Sequence, residues 1–591
     1  MTSEPQLTAG EGSSSDRGTT LAALGVAILL CGVYLTISSA TELWDRDEPR
    51  FCRAAVEMMR SGDYLVPRFN GDVRPHKPVL IYWLMNAGME AFGNHEWVLR
   101  MPSAFGMALA ALMTYFIARR MMGARTGLRS MIIFGTAMMP IYMGTAATAD
   151  GTLIAWTTAS VYPFVDRIYR GPRWWQIPAI ALALTIAQYA KGPVGLAVPG
   201  LMAISFGLFA RRHAKLPGEF WGGYIAAILA SIGIFAAWFM EANYASGGEL
   251  VRVGVGKQVV NRLFIPMEGH GGKGLVGYLA MVPIYIPVIF VGLFPWALQI
   301  PAMLAGLFRG RIGTPLDRAV IFCWVLPTFI MMSLVATKLP HYILPVFPPL
   351  AIAIAGVIER HKRDELNERD HKWLRLGVWI FVPMAIIGAI GPIIGAIVLN
   401  DWVLVGKGMP STIVFALIVF LAVRLHRREQ FARATTTLAV GFPAVMVIAA
   451  LLFLPQLENH FKASKETAAA IRAELGDSAS VCFLGFEEGS VFYYLNLPPD
   501  MAVRSISEHA ADPDKPLFEQ WAAMEGPGAL LTTTRDIEDH KVDVKALGLK
   551  EIFRGDIINY AKGAKKQTIL VLVRNAGGAE PAPQPTPPDS N

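Results

Sequence analysis

Charge is what this 591-residue chain has little of: 17% of its residues are Asp, Glu, Lys or Arg, against about a quarter in ordinary globular proteins. With 53% hydrophobic residues and a mean hydropathy of +0.41, that deficit excludes a soluble enzyme and points to a chain that crosses a bilayer repeatedly. Cysteine is scarce as well. Cys31, Cys52, Cys323 and Cys482 show no CxxC or zinc-type spacing, so neither a metal knuckle nor a disulfide framework is indicated. Cys52 and Cys482 could pair if both faced an oxidising compartment, but nothing demands it. There is no GxxxxGK[ST] run, and the GxGxxG match GHGGKG (269–274) lies in a loop between apolar spans and not after a strand, so the backbone cradle of a nucleotide-using enzyme is not indicated. No internal repeat is present. No basic segment precedes residues 21–40 and no small-residue cleavage site follows, so that span reads as a retained anchor, not a removed signal peptide.

What is present is a succession of apolar runs. Spans are expected at 20–40, 100–118, 128–147, 150–168, 175–190, 193–210, 221–241, 276–308, 318–336, 340–358, 373–399, 411–425 and 434–455, about thirteen in all. Every second loop is arginine-rich, as at Arg119, Arg120, Arg125 and Arg129, or Arg424, Arg427, Arg428 and Arg433. The net charge of +7 therefore reads as topology, with these loops cytoplasmic and the alternate loops outside, and not as nucleic-acid binding. One outer loop breaks the pattern: residues 41–78 carry seven cations, among them Arg46, Arg74 and Lys77. Cations held on that side suit an anion that must be met there.

The domain plan follows. Residues 1–19, small and polar, are expected to be a disordered cytoplasmic tail. Residues 20–455 form the membrane domain, with a first outer loop at 41–99. In that loop PRFCRAAVEMMRS (49–61) spaces Phe51, Ala54, Ala55, Met58 and Met59 as an amphipathic interfacial helix, and residues 79–92 are too short to span and form a second. Residues 456–575 are expected to be a small soluble α/β domain on the outer side, with a helix at 464–475 and buried strands at 480–486, 528–534 and 567–573. Residues 576–591 are a disordered Pro-rich tail.

Each short outer loop presents ionisable residues close to a helix end: Asp47, Glu48, His76 and Lys77; Asp150; Lys191; Arg262 and His270; then Lys338, His341 and Tyr342. Polar groups converging on one membrane face make a cavity suited to group transfer from a lipid phosphate. A departing phosphate needs cations, which Lys77, Arg262 and Lys338 supply. A carboxylate must take the acceptor's proton, and Asp47 or Asp150 serves. Simpler roles compete: Asp47 and Asp150 as helix caps, Lys191 as a snorkelling helix end, His270 as a loop histidine. His76 and His270 are candidate ligands for a divalent metal ion, a weak set at two ligands; no cofactor is otherwise indicated. The Met and Phe runs inside the spans read as helix packing.

These residues carry a resemblance. DEPRFCRAAVEMMRSGDYLVPRFNGDVRPHKPVLIYWL, TADG (148–151), AKGPVGL (190–196), NRLF (261–264) and KLPHYILPVFPPLAI (338–352) resemble the polyprenyl-phosphate-dependent glycosyltransferases of the GT-C superfamily. The likeness is above all to the aminoarabinose transferases and related protein-mannosyltransferase-like enzymes (glycosyltransferase families 39 and 83). The resemblance covers residues 20–455 and implies a fold of thirteen membrane helices with an outer soluble domain. It also implies a multi-pass protein of the bacterial inner membrane, with its active site and C-terminal domain periplasmic. The implied reaction is inverting sugar transfer from an undecaprenyl-phosphate-type donor to lipid A, another glycolipid or a protein. Asp47 and Asp150 match the family's acids, and Lys77, Arg262 and Tyr342 fall where the family holds the lipid phosphate; Glu48, Lys191 and His341 are additional candidates. The chain departs from the aminoarabinose branch at His76, where a Glu usually precedes the Lys, and at Gln258 and Val259, where a Glu-His pair usually stands. Both positions concern a metal site, so metal use and the sugar stay open. The rival from another class is a transporter or flippase for a lipid-linked sugar, which would place its charges near the bilayer midplane.

Overall fold

The computed structural model describes residues 12–44, 47–266, 272, 274–362, 367–476, 480–498, 503–509, 512, 514–559 and 565–574. Most of residues 1–19 and the tail 576–591 lie outside the described residues, as does His270. The first helix begins at Gly12, eight residues ahead of the expected start of the first span.

The chain is an α-helical polytopic membrane protein with a small C-terminal α/β region. Among the described residues nine helices are long and apolar enough to cross a membrane: Arg17–Ser39, Glu96–Met122, Gly218–Ala245, Gly274–Gly292, Pro315–Leu334, Pro340–Arg360, Glu368–Val398, Trp402–Arg427 and Phe431–Glu458. Val194–Ala210 and Trp296–Phe308 are shorter apolar helices. The remaining expected spans differ for local reasons. Residues 128–147 split into helices Ala124–Gly135 and Met138–Gly144. Gln176–Lys191 is a helix of only 16 residues. Asp150–Arg170 is long enough, but polar residues such as Thr157, Thr158 and Ser160 dilute its hydropathy.

Contacts divide the chain into two units, one comprising residues 1–42, 62–67 and 73–457, the other 43–61, 68–72 and 458–591. In the first, the helices Glu96–Met122 and Asp150–Arg170 pack backbone to backbone. A Cβ on Gly106 would lie 2.5 Å from the Gly151 carbonyl carbon, and one on Gly151 would lie 2.7 Å from Ser103 Cα. Only glycine permits that approach, the small-residue device of membrane helix pairs. It seats the start of the Asp150 helix deep in the bundle.

The second unit is built on a five-stranded sheet in the order Arg504–Ser505, Ser480–Phe483, Gly528–Thr533, Lys565–Arg574, Leu549–Asn559. Ser480–Phe483 pairs in parallel with both its neighbours, and Lys565–Arg574 pairs antiparallel with both of its own. Every residue of Gly528–Thr533 is buried, as its continuous apolar run requires. Leu549–Asn559 was not expected as a strand, because its alternation is broken by Lys550, Glu551, Arg554 and Asp556 on an exposed edge. The helix Ser464–Leu475 has the expected bounds.

The helix Asp47–Ser61 belongs to this second unit. It is not one-sided: residues 48–58 apart from Arg50 are all buried, because its polar residues are paired within the unit. Arg53 Nε donates to Glu57 Oε1 at 2.5 Å, and Glu57 also accepts the backbone N–H groups of Asn70 at 2.8 Å and Gly71 at 3.2 Å. A carboxylate so surrounded satisfies its burial. Asn70 in turn uses both ends of its amide on the Val503 backbone, at 2.6 and 2.7 Å. Cys52 and Cys482 are both buried free thiols.

Candidate active site

The motifs picked out from the sequence are brought together in the first unit by three local devices. In AKGPVGL, Gly192 takes φ +64° and its N–H caps the preceding helix at Gln188. That left-handed turn ends the helix at Lys191, so the ammonium projects from its C-terminal end. In TADG, Gly151 seats the next helix as described, with Asp150 in its first turn. In NRLF and KLPHY, the backbone N–H groups of Ala336 and Thr337 donate to the carbonyls of Leu263 and Arg262 at 3.0 and 3.2 Å. This short backbone clasp fixes Arg262 against the segment that carries His341 and Tyr342.

The result is a cavity of about 270 Å³ lined by His76, Lys77, Asp150, Lys191, Gln258, Arg262, His341 and Tyr342 and by apolar residues around them. Asp150 is not a helix cap: the helix start has no side-chain cap bond. Its Oδ1 instead accepts from Lys191 Nζ at 2.5 Å, and His341 Nε2 lies 3.7 Å from Oδ2. Lys191 also stands 5.0 Å from the centre of the Tyr342 ring, a cation–π position. Arg262 Nη1 donates to the Tyr342 hydroxyl at 2.9 Å. The lining thus holds three permanent cations, Lys77, Lys191 and Arg262, and one carboxylate. A net positive, largely apolar cavity favours an amphiphilic anion.

Not every candidate joins this group. Lys338 is buried, and its ammonium donates to the carbonyls of Ser333, at 2.6 Å, and Val335 at the end of the helix Pro315–Leu334. It also lies 5.2 Å from the Tyr278 ring centre, and burial lowers its pKa. It is engaged in closing a helix end and does not line the cavity. Asp47 and Glu48 belong to the second unit. Asp47 is exposed in the first turn of its helix, whereas Glu48 is buried and accepts the Trp44 N–H at 2.7 Å. His76 lines the cavity; among the described residues no three His, Cys, Asp or Glu side chains converge as a metal site.

The lining also includes Phe235, Trp238 and Phe239, although Phe runs inside the spans read from sequence as helix packing. Their i, i+3, i+4 spacing put them on one helix face, and that face turns out to border the cavity. Trp238 is fixed by its indole N–H on the Leu65 carbonyl at 3.3 Å and by the Phe235 ring at 5.6 Å.

Comparison with known proteins agrees with this geometry. Residues 76–236, which include His76, Lys77, Asp150 and Lys191 of the lining, match the family model described as dolichyl-phosphate-mannose-protein mannosyltransferase. An undecaprenyl phosphate-alpha-4-amino-4-deoxy-L-arabinose arabinosyl transferase from Edwardsiella ictaluri is 28% identical over 466 residues, 76% of this chain and 79% of that protein. A second, from Sodalis glossinidius, is 29% identical over 339 residues, 56% of this chain and 58% of its own. The crystal structure of ArnT from Cupriavidus metallidurans bound to undecaprenyl phosphate shares the fold, with a TM-score of 0.72 at 19% identity, covering 96% of this chain and 99% of that one. The chain is a membrane glycosyltransferase with the GT-C fold. It is a multi-pass protein of the bacterial inner membrane, and as an enzyme it leaves the transporter reading behind. The charged cavity residues of this GT-C enzyme are all at helix ends or in connecting segments, the placement expected for a surface-facing site.

Proposed function

We propose that this glycosyltransferase moves a sugar from an undecaprenyl-phosphate-type donor to an envelope acceptor, lipid A or another glycolipid, at the periplasmic face. The observation that carries this reading is the cavity itself: Lys77, Lys191 and Arg262 with Tyr342 against the Phe235–Phe239 wall. A phosphate monoester or diester on an isoprenoid chain needs both halves of that surface. The names of the arabinosyl transferase relatives, and the lipid bound to the solved relative, support it.

In this scheme the acceptor hydroxyl oxygen attacks the anomeric carbon. The bond from that carbon to the lipid phosphate oxygen breaks, and its electron pair leaves with the polyprenyl phosphate, which inverts the anomeric centre. Lys77, Lys191 and Arg262, with the Tyr342 hydroxyl, stabilise the charge that grows on the leaving oxygen. Asp47 takes the hydroxyl proton, a role resting on its match to the family's first-loop acid. Asp150 is the weaker base, because Lys191 already occupies its carboxylate; it orients Lys191 and His341 toward the phosphate. The Lys338 ammonium acts indirectly, by holding the segment before His341. No step is routed through a metal ion; His76 stays a candidate ligand for one.

The test is transfer by the purified protein in detergent, from a radiolabelled undecaprenyl-phosphate sugar to lipid A. Label on lipid A with released undecaprenyl phosphate is the expected result. Label on a protein hydroxyl instead would shift the acceptor class, and neither product would overturn the reading.

A further inference from the structure

Outside the catalytic cavity, the described residues of the helices Glu368–Val398 and Trp402–Arg427 enclose a second feature. It consists of two hollows that share lining residues. One, of about 430 Å³, is lined by His371, Arg375, Trp379, His426, Arg427 and Glu429 among others. The second, of about 630 Å³, is lined by Val382, Ala385, Ile386 and Ala389 from one helix and Ala416, Val419, Phe420 and Val423 from the other, with Arg424, Arg427 and Arg428 at its end. Val382 and Arg427 border both.

The spacing explains the shape. Residues 382, 385, 386 and 389 form one stripe and 416, 419, 420 and 423 another, each at i, i+3, i+4, i+7. Small side chains at Ala385, Ala389 and Ala416 leave the stripes apart. From residue 416 to 427 the trough runs about 16 Å at the rise of an α-helix, close to the hydrocarbon depth of one leaflet, about half of ~30 Å.

At the polar end sits His426, 6% exposed, with neither ring nitrogen hydrogen-bonded and its ring edge-on to Phe431 at 5.0 Å. A buried imidazole without a partner is costly and calls for a ligand that completes it. Around it stand Arg375 and Arg427, both exposed and without an acidic partner among the described residues. The one acid of the rim, Glu429, lies 3.6 Å from His371. Cations outnumber it, and an apolar trough continues from them.

We propose that this groove binds an anionic glycerophospholipid, its phosphodiester held by Arg375, Arg427 and a ring N–H of His426, with one acyl chain along the Val382–Phe420 trough. Basic pockets between membrane helices take lipid phosphates in this way. A free anion would satisfy the arginines but leave the trough without an occupant, and a zwitterionic lipid would bring its own cation to the arginine rim.

The experiment uses the full chain in detergent, delipidated, with native mass spectrometry and thermal unfolding. Phosphatidylglycerol should remain bound and raise the unfolding temperature, while phosphatidylcholine and inorganic phosphate at equal concentration should not. Arg375→Gln/Arg427→Gln should weaken phosphatidylglycerol binding by about tenfold or more. His426→Leu, of similar bulk without a donor, should also weaken it. Arg125→Gln, exposed elsewhere, should leave it unchanged. An equal response to phosphatidylcholine or to inorganic phosphate overturns the proposal. So does unchanged binding by the double arginine variant, whatever His426→Leu shows.

Discussion

Lys191 closes one helix and Asp150 opens another, and the two meet in a 2.5 Å ion pair with only 11% of either side chain exposed. The pair is the hinge between architecture and chemistry in this enzyme. It holds a cation at the cavity wall, and it occupies one oxygen of the Asp150 carboxylate.

Removing one partner of such a pair leaves the other charge buried. Asp150→Ala and Lys191→Ala should each destabilise the protein by about 3–5 kcal/mol. The double variant should lose less than the sum, since the orphaned charge is gone. A thermal-unfolding double-mutant cycle measures this. Strict additivity would show that the pair is not coupled.

In the proposed reaction Arg262 and Tyr342, joined by a hydrogen bond of 2.9 Å, are the other half of the phosphate clamp. Arg262→Gln should raise the KM for the lipid donor by about tenfold or more, because a charge-assisted contact is lost. Tyr342→Phe removes the hydroxyl that accepts from Arg262, worth about 0.5–1.5 kcal/mol, and should raise KM only a few-fold. Steady-state kinetics with varied donor separates these. Equal effects would mean that the Tyr342 hydroxyl contributes as much to holding the donor as the Arg262 guanidinium.

Asp47→Asn keeps the size of the side chain and removes its basicity. Transfer should fall by about 10²–10⁴, with donor binding unchanged, as followed by retention of the labelled lipid. Undiminished turnover would remove Asp47 from the base role.

Gly151→Val tests the seating of Asp150. The new Cβ would stand 2.7 Å from the Ser103 backbone, so the helices must part. Overpacking of this kind destabilises by about 1–3 kcal/mol, and activity should fall with it because Lys191 loses its partner's position. Wild-type unfolding temperature and activity in Gly151→Val would show that the close approach is dispensable.

Asn70→Ala should loosen the second unit by about 1–3 kcal/mol, since both Val503 backbone groups lose their partner. Limited proteolysis between residues 496 and 505 would report it.

Much of this was legible in the chain. Length, apolar runs and the arginine rhythm mark a polytopic membrane protein, because the hydrocarbon interior admits no other reading of such composition. TADG, AKGPVGL, NRLF and KLPHY each carry a residue of the cavity lining, Asp150, Lys191, Arg262, and His341 with Tyr342, with a backbone device in or near the motif. The C-terminal helix and its buried strands were visible in their continuous apolar runs, while the edge strand Leu549–Asn559 hid behind its charges.

What only the tertiary structure decided is which partner each polar residue takes, since side-chain pairing across helices leaves no local pattern. Lys338 has the same chemistry as Lys191 and sits in an equally specific motif. It turns to carbonyls at a helix end, whereas Lys191 turns to Asp150. Phe235 and Trp238 have the spacing of ordinary helix packing, and only the neighbouring helices make their face a cavity wall. Nor could spacing show that the Asp47–Ser61 helix folds with the C-terminal sheet, because the contacts that place it there, such as Arg60 on the Asn496 carbonyl at 2.8 Å, link residues more than four hundred positions apart. Composition sets the solvent and the motifs set the cast; the partners are chosen by packing.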